Sequence, residues 1–388
     1  MAISQRVLSF MESASWIRRM FEEGANLKRE HGAENVFDFS LGNPDLAPPQ
    51  AFHDALSAVV AERADLHRYM PNAGFPDTRT RIAGRLAAEH GVDPGQAGVV
   101  MTVGAAGALN VAFKALLDPG NEVLVTRPFF PEYRFYADNH GGRMVPVATT
   151  DTFDLDFDAF AEALHPNVRA VIVNSPNNPT GRVYDQAALD RLARLIDEKA
   201  PEATLISDEP YRKIVYDDAE QGSVLRATPR SAVATSFSKD LGLAGERIGY
   251  LAVHPDHPDR PGFIGAAVFA NRTLGFVNAP ALMQRVIARM DDATVDVAEY
   301  AARRDLFLGG LRDAGYECVT PEGAFYLFPR SPIEDDVAFI KALLEERILA
   351  VPGSGFGAPG YFRLSYAVPR KFIQASLEGF ARTLARFA

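Results

Sequence analysis

Ser236-Phe237-Ser238-Lys239-Asp240-Leu241-Gly242-Leu243-Ala244-Gly245-Glu246-Arg247-Ile248-Gly249-Tyr250 joins two apolar runs through a Gly-containing turn that carries Lys239 and Arg247. The run before it, Ala232-Val233-Ala234-Thr235, has the unbroken apolar character of a strand buried on both faces of a parallel sheet. Lys239 then falls just past the C-terminal end of that strand, where open α/β sheets place their ligands. Arg247 opens the second run, Ile248-Gly249-Tyr250-Leu251-Ala252-Val253. A lysine and an arginine flank a short loop, with the hydroxyls of Ser236 and Ser238 beside them. Such a set suits an amine that forms an imine with an aldehyde while the arginine and the hydroxyls hold a phosphate. A lone lysine is ordinarily a solvated surface residue, so the weight of this reading comes from the rest of the chain.

Upstream, apolar runs alternate with helical stretches, as in a parallel sheet covered on both faces. Val99–Val103 runs into Gly104-Ala105-Ala106-Gly107; Glu122–Thr126 into Arg127-Pro128-Phe129-Phe130-Pro131; Ala170–Asn174 into Ser175-Pro176-Asn177-Asn178-Pro179-Thr180-Gly181. Ala203–Ser207 runs into Asp208-Glu209-Pro210-Tyr211, and the lysine strand is the fifth. Strand ends of a parallel sheet lie along one edge, so the five clusters are predicted to converge. The small residues at 104–107 leave backbone N–H groups free at a helix N-terminus, which suits an anion.

Helices are expected over Ala51–Val60, Asp77–His90, Asp336–Glu346 and 371–388, with one long helix from Ala281 through Arg312. Trp16, Ile17, Met20 and Phe21 have the spacing of one buried helix face. Val36–Leu41, Gly323–Phe328 and Tyr361–Tyr366 read as strands, and Gly42-Asn43-Pro44-Asp45 as a turn. No internal repeat is present.

With 388 residues, two domains are expected. The formal charge of −10 argues against a nucleic-acid partner. A single cysteine, Cys318, excludes an internal disulfide framework and suits a reducing cytosol. No Cys/His spacing resembles a metal site, the first residues do not read as a signal peptide, and no apolar run is long enough to span a membrane. The expectation is a cytoplasmic protein with no metal.

Ser-x-Ser-Lys, an arginine eight residues after the lysine, and Gly-Tyr resemble the lysine motif of the class I/II aminotransferases, aspartate aminotransferase-like enzymes of pyridoxal-phosphate fold type I. Further matches run in family order from Gly42 to Arg363, over nearly the whole chain. The resemblance implies a three-layer α/β fold, with a mainly parallel seven-stranded sheet in a large cofactor domain at 46–280. A smaller α+β domain would be built from 1–45 and 281–388. It also implies a homodimer in which Tyr69 reaches the cofactor phosphate of the neighbouring subunit.

The family positions assign pyridoxal 5'-phosphate to Gly104, Ala105, Ala106, Phe130, Asn178, Asp208, Tyr211, Ser236, Ser238, Lys239 and Arg247, and substrate to Gly42, Asn178 and Arg363. Asp208 would face the pyridine nitrogen and favour its charged form. Asn178 and Tyr211 would donate to the phenolic oxygen. Phe130 would stack on the ring, where other members have Trp or Tyr. Ser236, Arg247 and the N–H groups of Ala105 and Ala106 would hold the phosphate. Both loop residues are alanine where the family often has a hydroxyl or lysine, so only main-chain donors remain there.

Lys239 would be the imine partner at rest and afterwards the base that moves the Cα proton. Arg363, in Phe-Arg-Leu-Ser-Tyr, would grip the α-carboxylate with its planar guanidinium. The expected activity is ping-pong transfer of an amino group from an L-amino acid to a 2-oxo acid. A carbon–sulfur β-lyase of the same fold and a non-catalytic binding protein on that fold stay open as alternatives. The loop Arg272–Asn278 offers no clear second basic group for a distal carboxylate, which tilts the expectation away from strict aspartate specificity.

Overall fold

The structure is a computed structural model that describes residues 3–13, 15–62 and 67–387, apart from the side chains of 12, 13 and 15–21. The burial expected of Trp16, Ile17, Met20 and Phe21 lies outside these described side chains. The strands are β1 (Phe37–Asp38), β2 (Val99–Thr102), β3 (Glu122–Arg127), β4 (Arg143–Ala148), β5 (Val168–Asn174), β6 (Thr204–Asp208), β7 (Ser231–Ser236), β8 (Gly249–Val253), β9 (Tyr326–Leu327), β10 (Ile348–Leu349), β11 (Val351–Pro352) and β12 (Phe362–Ser365). The helices are α1 (Gln5–Ser13), α2 (Ser15–His31), α3 (Gln50–Ala61), α4 (Pro76–His90), α5 (Gly104–Leu116), α6 (Glu132–Asn139), α7 (Phe157–Ala163), α8 (Gln186–Lys199), α9 (Val224–Ala227), α10 (Arg260–Thr273), α11 (Ala281–Arg289), α12 (Val297–Ala314), α13 (Asp336–Glu345) and α14 (Arg370–Leu384).

Seven strands form one sheet in the order β2-β8-β7-β6-β5-β3-β4. Only β8 runs against the rest, pairing antiparallel with both β2 and β7. Two reversals cancel, so β2 shares the direction of β7, and the C-terminal ends of β2, β3, β5, β6 and β7 lie on one edge. Successive side chains of a strand face opposite sides. In β5, Ala170 and Ile172 pack with Leu109 and Phe113 of α5 and Phe263 of α10, whereas Val171 and Val173 pack with Leu189, Leu192 and Ile196 of α8. That alternation makes the three layers, and burial on both faces accounts for the near-continuous apolar sequence of the strands.

A second core gathers Phe39, Tyr300, Phe307, Phe325, Phe339, Phe362 and Phe380 around β9, β11 and β12 and helices α12, α13 and α14. The helix expected over 281–312 is two helices. α11 stops where Met290 turns extended (ψ 138), and α12 restarts behind Asp296, whose side chain accepts the Glu299 N–H. Between them the chain is drawn to Asp240, whose carbonyl accepts the Val295 N–H at 2.7 Å and the Thr294 hydroxyl at 3.0 Å. α11 packs with α3 and α4 through Met283, Val286 and Ile287, which join Phe52 and Ile82.

The strand expected over 36–41 keeps only β1, which pairs parallel with β10. Its end is set by Ser40, whose hydroxyl donates to the Asp38 carboxylate at 2.6 Å. The strand expected over 323–328 shortens to β9, because Ala324 adopts a left-handed conformation (φ 58). β4, which went unread, carries Pro146 at the sheet edge, where a missing N–H is tolerated.

Candidate active site

A cavity of about 360 Å³ opens at the shared edge, lined also by Tyr326 and Arg363 from the second core. Lys239, just past β7, donates its Nζ to the Gly42 carbonyl at 2.6 Å. Burial, followed by the nearby charges of Arg363 and Arg247, pushes its pKa down to about 8. A buried ammonium beside two guanidinium groups is disfavoured, so this amine loses its proton far more readily than a surface lysine.

Asp208 ends β6 and is buried. One carboxylate oxygen accepts the Tyr133 hydroxyl from α6, and the other, Oδ1, has no partner among the described residues. Burial pushes this carboxyl up to about 7, the Tyr133 hydrogen bond opposes that, and neighbouring Glu209 adds to it. An unpartnered buried carboxylate oxygen is costly unless a donor is brought to it. Behind it, Asn174 donates to the Asp208 carbonyl at 2.8 Å and accepts the Asn178 N–H at 2.7 Å, which fixes two strand ends against each other.

Arg363 on β12 is 3% exposed. Its guanidinium donates to Asn178 Oδ1 at 3.0 Å and to the Ser40 carbonyl at 2.7 Å, while Nε has no partner among the described residues. The rings of Tyr326 and Phe356 lie 4.6 and 4.8 Å from it. Because Asn178 spends its oxygen on Arg363, its NH₂ is left to donate into the cavity. The Tyr211 and Tyr326 hydroxyls are hydrogen-bonded at 2.7 Å.

At the opposite corner the first turn of α5 presents Ala105 and Ala106, facing Ser236, Ser238 and Arg247. Gly104 permits this approach: its φ is +77°, and a Cβ there would stand 2.9 Å from an Arg247 nitrogen. Arg247 is itself braced by donation to the Ala244 carbonyl at 2.9 Å. Free N–H groups at a helix start, a guanidinium and two hydroxyls form a site for a phosphate-like anion. Phe130 forms a wall, its ring meeting that of Tyr133 edge-on at 5.6 Å.

The fold thus brings together on one cavity Gly42, Ala105, Ala106, Phe130, Asn178, Asp208, Tyr211, Ser236, Ser238, Lys239, Arg247 and Arg363. Gly104 sits directly behind the anion corner. Tyr69 is 89% exposed and does not line the cavity of its own chain. Sequence reading missed Tyr326, Tyr133, Tyr136, Asn174 and Ser40. Tyr133 had no clear local signal: Phe130 lies before α6 begins, and the two are joined by a turn in which the Tyr133 N–H donates to the Phe130 carbonyl at 3.2 Å. Asn174 and Tyr326 fall on expected strands, but nothing in the local sequence says which way they point.

The family model for aminotransferase class I and II matches residues 34–379. The aspartate/prephenate aminotransferase of Thermus thermophilus is 35% identical over 92% of this chain and 93% of its own length. The crystal structure of an aminotransferase from Eubacterium rectale superposes with a TM-score of 0.96 at 38% identity, covering 100% of this chain and 99% of the other. Aspartate aminotransferase from Thermus thermophilus with maleate superposes at 0.86 with 29% identity, covering 99% of this chain and 100% of the other.

Proposed function

This chain belongs to the aminotransferase class I and II family, and we propose that it moves an amino group from an L-amino acid to a 2-oxo acid with pyridoxal 5'-phosphate held on Lys239. The single observation that carries the proposal is the convergence of Lys239, the free oxygen of Asp208, Arg363 and Arg247 on one cavity. The residues fit this group at three points. Asp208 Oδ1 is a buried acceptor awaiting a donor, the α5 start with Arg247 suits a phosphate, and Lys239 is a buried amine of lowered pKa. Bound there, pyridoxal phosphate supplies an aldehyde for the lysine and a ring that draws electrons from the substrate Cα.

The roles of the chain's own residues follow. Asp208, ionised, would hold a proton at the ring nitrogen. Asn178 and Tyr211 would donate to the phenolic oxygen. Phe130 would supply an apolar wall for the ring. Arg363 binds the α-carboxylate in a bidentate fork and so orients the Cα–H bond towards Lys239, whose neutral amine takes that proton and returns it. Gly42, whose carbonyl holds the Lys239 amine, borders the substrate.

Borohydride reduction of the coloured, cofactor-loaded protein should leave a pyridoxyl group on Lys239 by peptide mass spectrometry. Amino-donor profiling with 2-oxoglutarate should then yield glutamate and the matching oxo acid. Oxo-acid product released without any acceptor would instead identify a carbon–sulfur lyase. Among the described residues lining the cavity, the cations are Lys239, Arg247 and Arg363, each with a role already. The donor profile therefore decides whether the side-chain end of the substrate is acidic, aromatic or aliphatic.

We extend the proposal to a cytoplasmic homodimer in which Tyr69 donates to the phosphate of the neighbouring site. Its 89% exposure in the single chain supports this. Residues 46–280 would form the cofactor-binding body and 1–45 with 281–388 the second, α11 lying against the first. Sedimentation should give a dimer, and Tyr69→Phe should weaken cofactor binding.

A further inference from the structure

Tyr326 stands at the meeting point of three groups that the proposed reaction uses. Its hydroxyl is 2.7 Å from that of Tyr211. Its ring lies 4.6 Å from the Arg363 guanidinium. Its hydroxyl also fills the space where a side chain at position 42 would go, so Gly42 is glycine because Tyr326 is there. The residue is 2% exposed, and register holds it firmly: on β9, Tyr326 pairs with Ser365 of β12, two residues beyond Arg363. Phe325, just before that strand, and Tyr211 meet edge-on at 5.3 Å, which holds the Tyr211 ring from a second side chain.

The two hydroxyls share one hydrogen bond, so one of them donates and keeps the other's proton free. If Tyr211 gave its proton to Tyr326, the Tyr326 proton would point at no acceptor among its described hydrogen-bond partners. If Tyr326 donates, Tyr211 can pass its own proton to an acceptor in the cavity. The Arg363 guanidinium, 4.6 Å from the Tyr326 ring, stands closer than the Lys239 amine does to the Tyr211 ring at 5.9 Å, and the nearer cation makes Tyr326 the stronger donor, which favours the second order. Successive hydroxyl donors polarise one another, so the outer bond strengthens the inner one. The charged groups facing this pair are Arg363, Lys239 and Asp208.

We propose that Tyr326 is a positioning residue for the reaction: its hydroxyl donates to Tyr211 and thereby aims and strengthens Tyr211 as a donor into the cavity, while its ring seats the Arg363 guanidinium. This deepens the functional reading above and rests on it. One side chain so links the carboxylate grip to the group that stabilises a negative oxygen in the centre of the site.

The test uses the cofactor-loaded protein and the pH titration of its visible absorption band. A weaker donor to the phenolic oxygen makes the lysine-linked nitrogen more basic, so Tyr326→Phe should raise the midpoint by several tenths of a pH unit. The same substitution made in Tyr211→Phe protein should move the midpoint by much less, because the relay is already cut. In kinetics Tyr326→Phe, which keeps the ring, should lower kcat severalfold with KM nearly unchanged, and Tyr326→Leu should raise KM as well. An unchanged midpoint in Tyr326→Phe would overturn the proposal, as would an equal shift with and without Tyr211. Wild-type protein that takes up no pyridoxal phosphate would instead sink the functional reading, so the two failures are distinguishable.

Discussion

Removing one hydroxyl, by Tyr133→Phe, should move the pH at which this protein binds its cofactor. Asp208 has one carboxylate oxygen on that hydroxyl and the other free, and burial has already pushed its pKa to about 7. A hydrogen bond to a charged group contributes ~1.5–3 kcal/mol. At 1.36 kcal/mol per pH unit, losing it should raise the Asp208 pKa by roughly 1–2 units. The sign follows from which form binds: the ionised carboxylate meets the protonated ring nitrogen, so affinity is present above the Asp208 pKa and lost as pH falls through it.

At pH 7.5 the ionised share drops from about three-quarters to between roughly 25% and 3%, so pyridoxal phosphate should bind roughly 3- to 25-fold more weakly. The gap should close to within about 1.5-fold by pH 9.5, where both proteins are mostly ionised. The assay is a fluorescence titration of apoprotein with cofactor across this pH range, scored as the ratio of variant to wild type. A ratio that stays constant with pH would refute the reasoning, since lost packing alone does not titrate.

The Lys239 amine should show its lowered pKa directly. Capture of pyridoxal phosphate by apoprotein, followed by absorbance, should rise with pH through a midpoint of about 8, and a midpoint above 10 would contradict the burial of this amine. Arg363→Lys should raise KM for amino donors at least tenfold, because a point charge cannot replace the fork and leaves Asn178 and Ser40 short of a donor. Gly104→Ala should destabilise the protein by about 1–2 kcal/mol and weaken the phosphate corner, since its φ is +77° and the new methyl meets Arg247. Gly84→Ala, on α4 with open space around it, should instead stabilise by about 0.5–1 kcal/mol; chemical denaturation of both variants checks the pair.

Much of the site is legible in the sequence. Lys239, Asp208, Asn178 and the 104–107 turn could be placed together because each follows an apolar run, and parallel strands end on one edge. What local pattern did not reveal were partners chosen by packing. Tyr211 and Tyr326 are 115 positions apart, and Tyr133 and Asp208 are 75 apart. The break between α11 and α12 escaped notice for the same reason: residues 290–296 leave the helix to bond the Asp240 carbonyl, a contact no periodicity records.

The sequence by itself determined which segments bury both faces, which residue types stand at their ends, and hence the family and the chemistry those residues can support. These are matters of local order, because side-chain spacing along a strand or helix repeats with a fixed period. Only the tertiary structure decided that β2 joins the edge through an antiparallel neighbour, that Asp208 keeps one oxygen free, and that Tyr326 stands between Tyr211 and Arg363. Those outcomes depend on which distant surfaces exclude water together, and burial of that kind also shifts Lys239 and Asp208 from their ordinary protonation ranges.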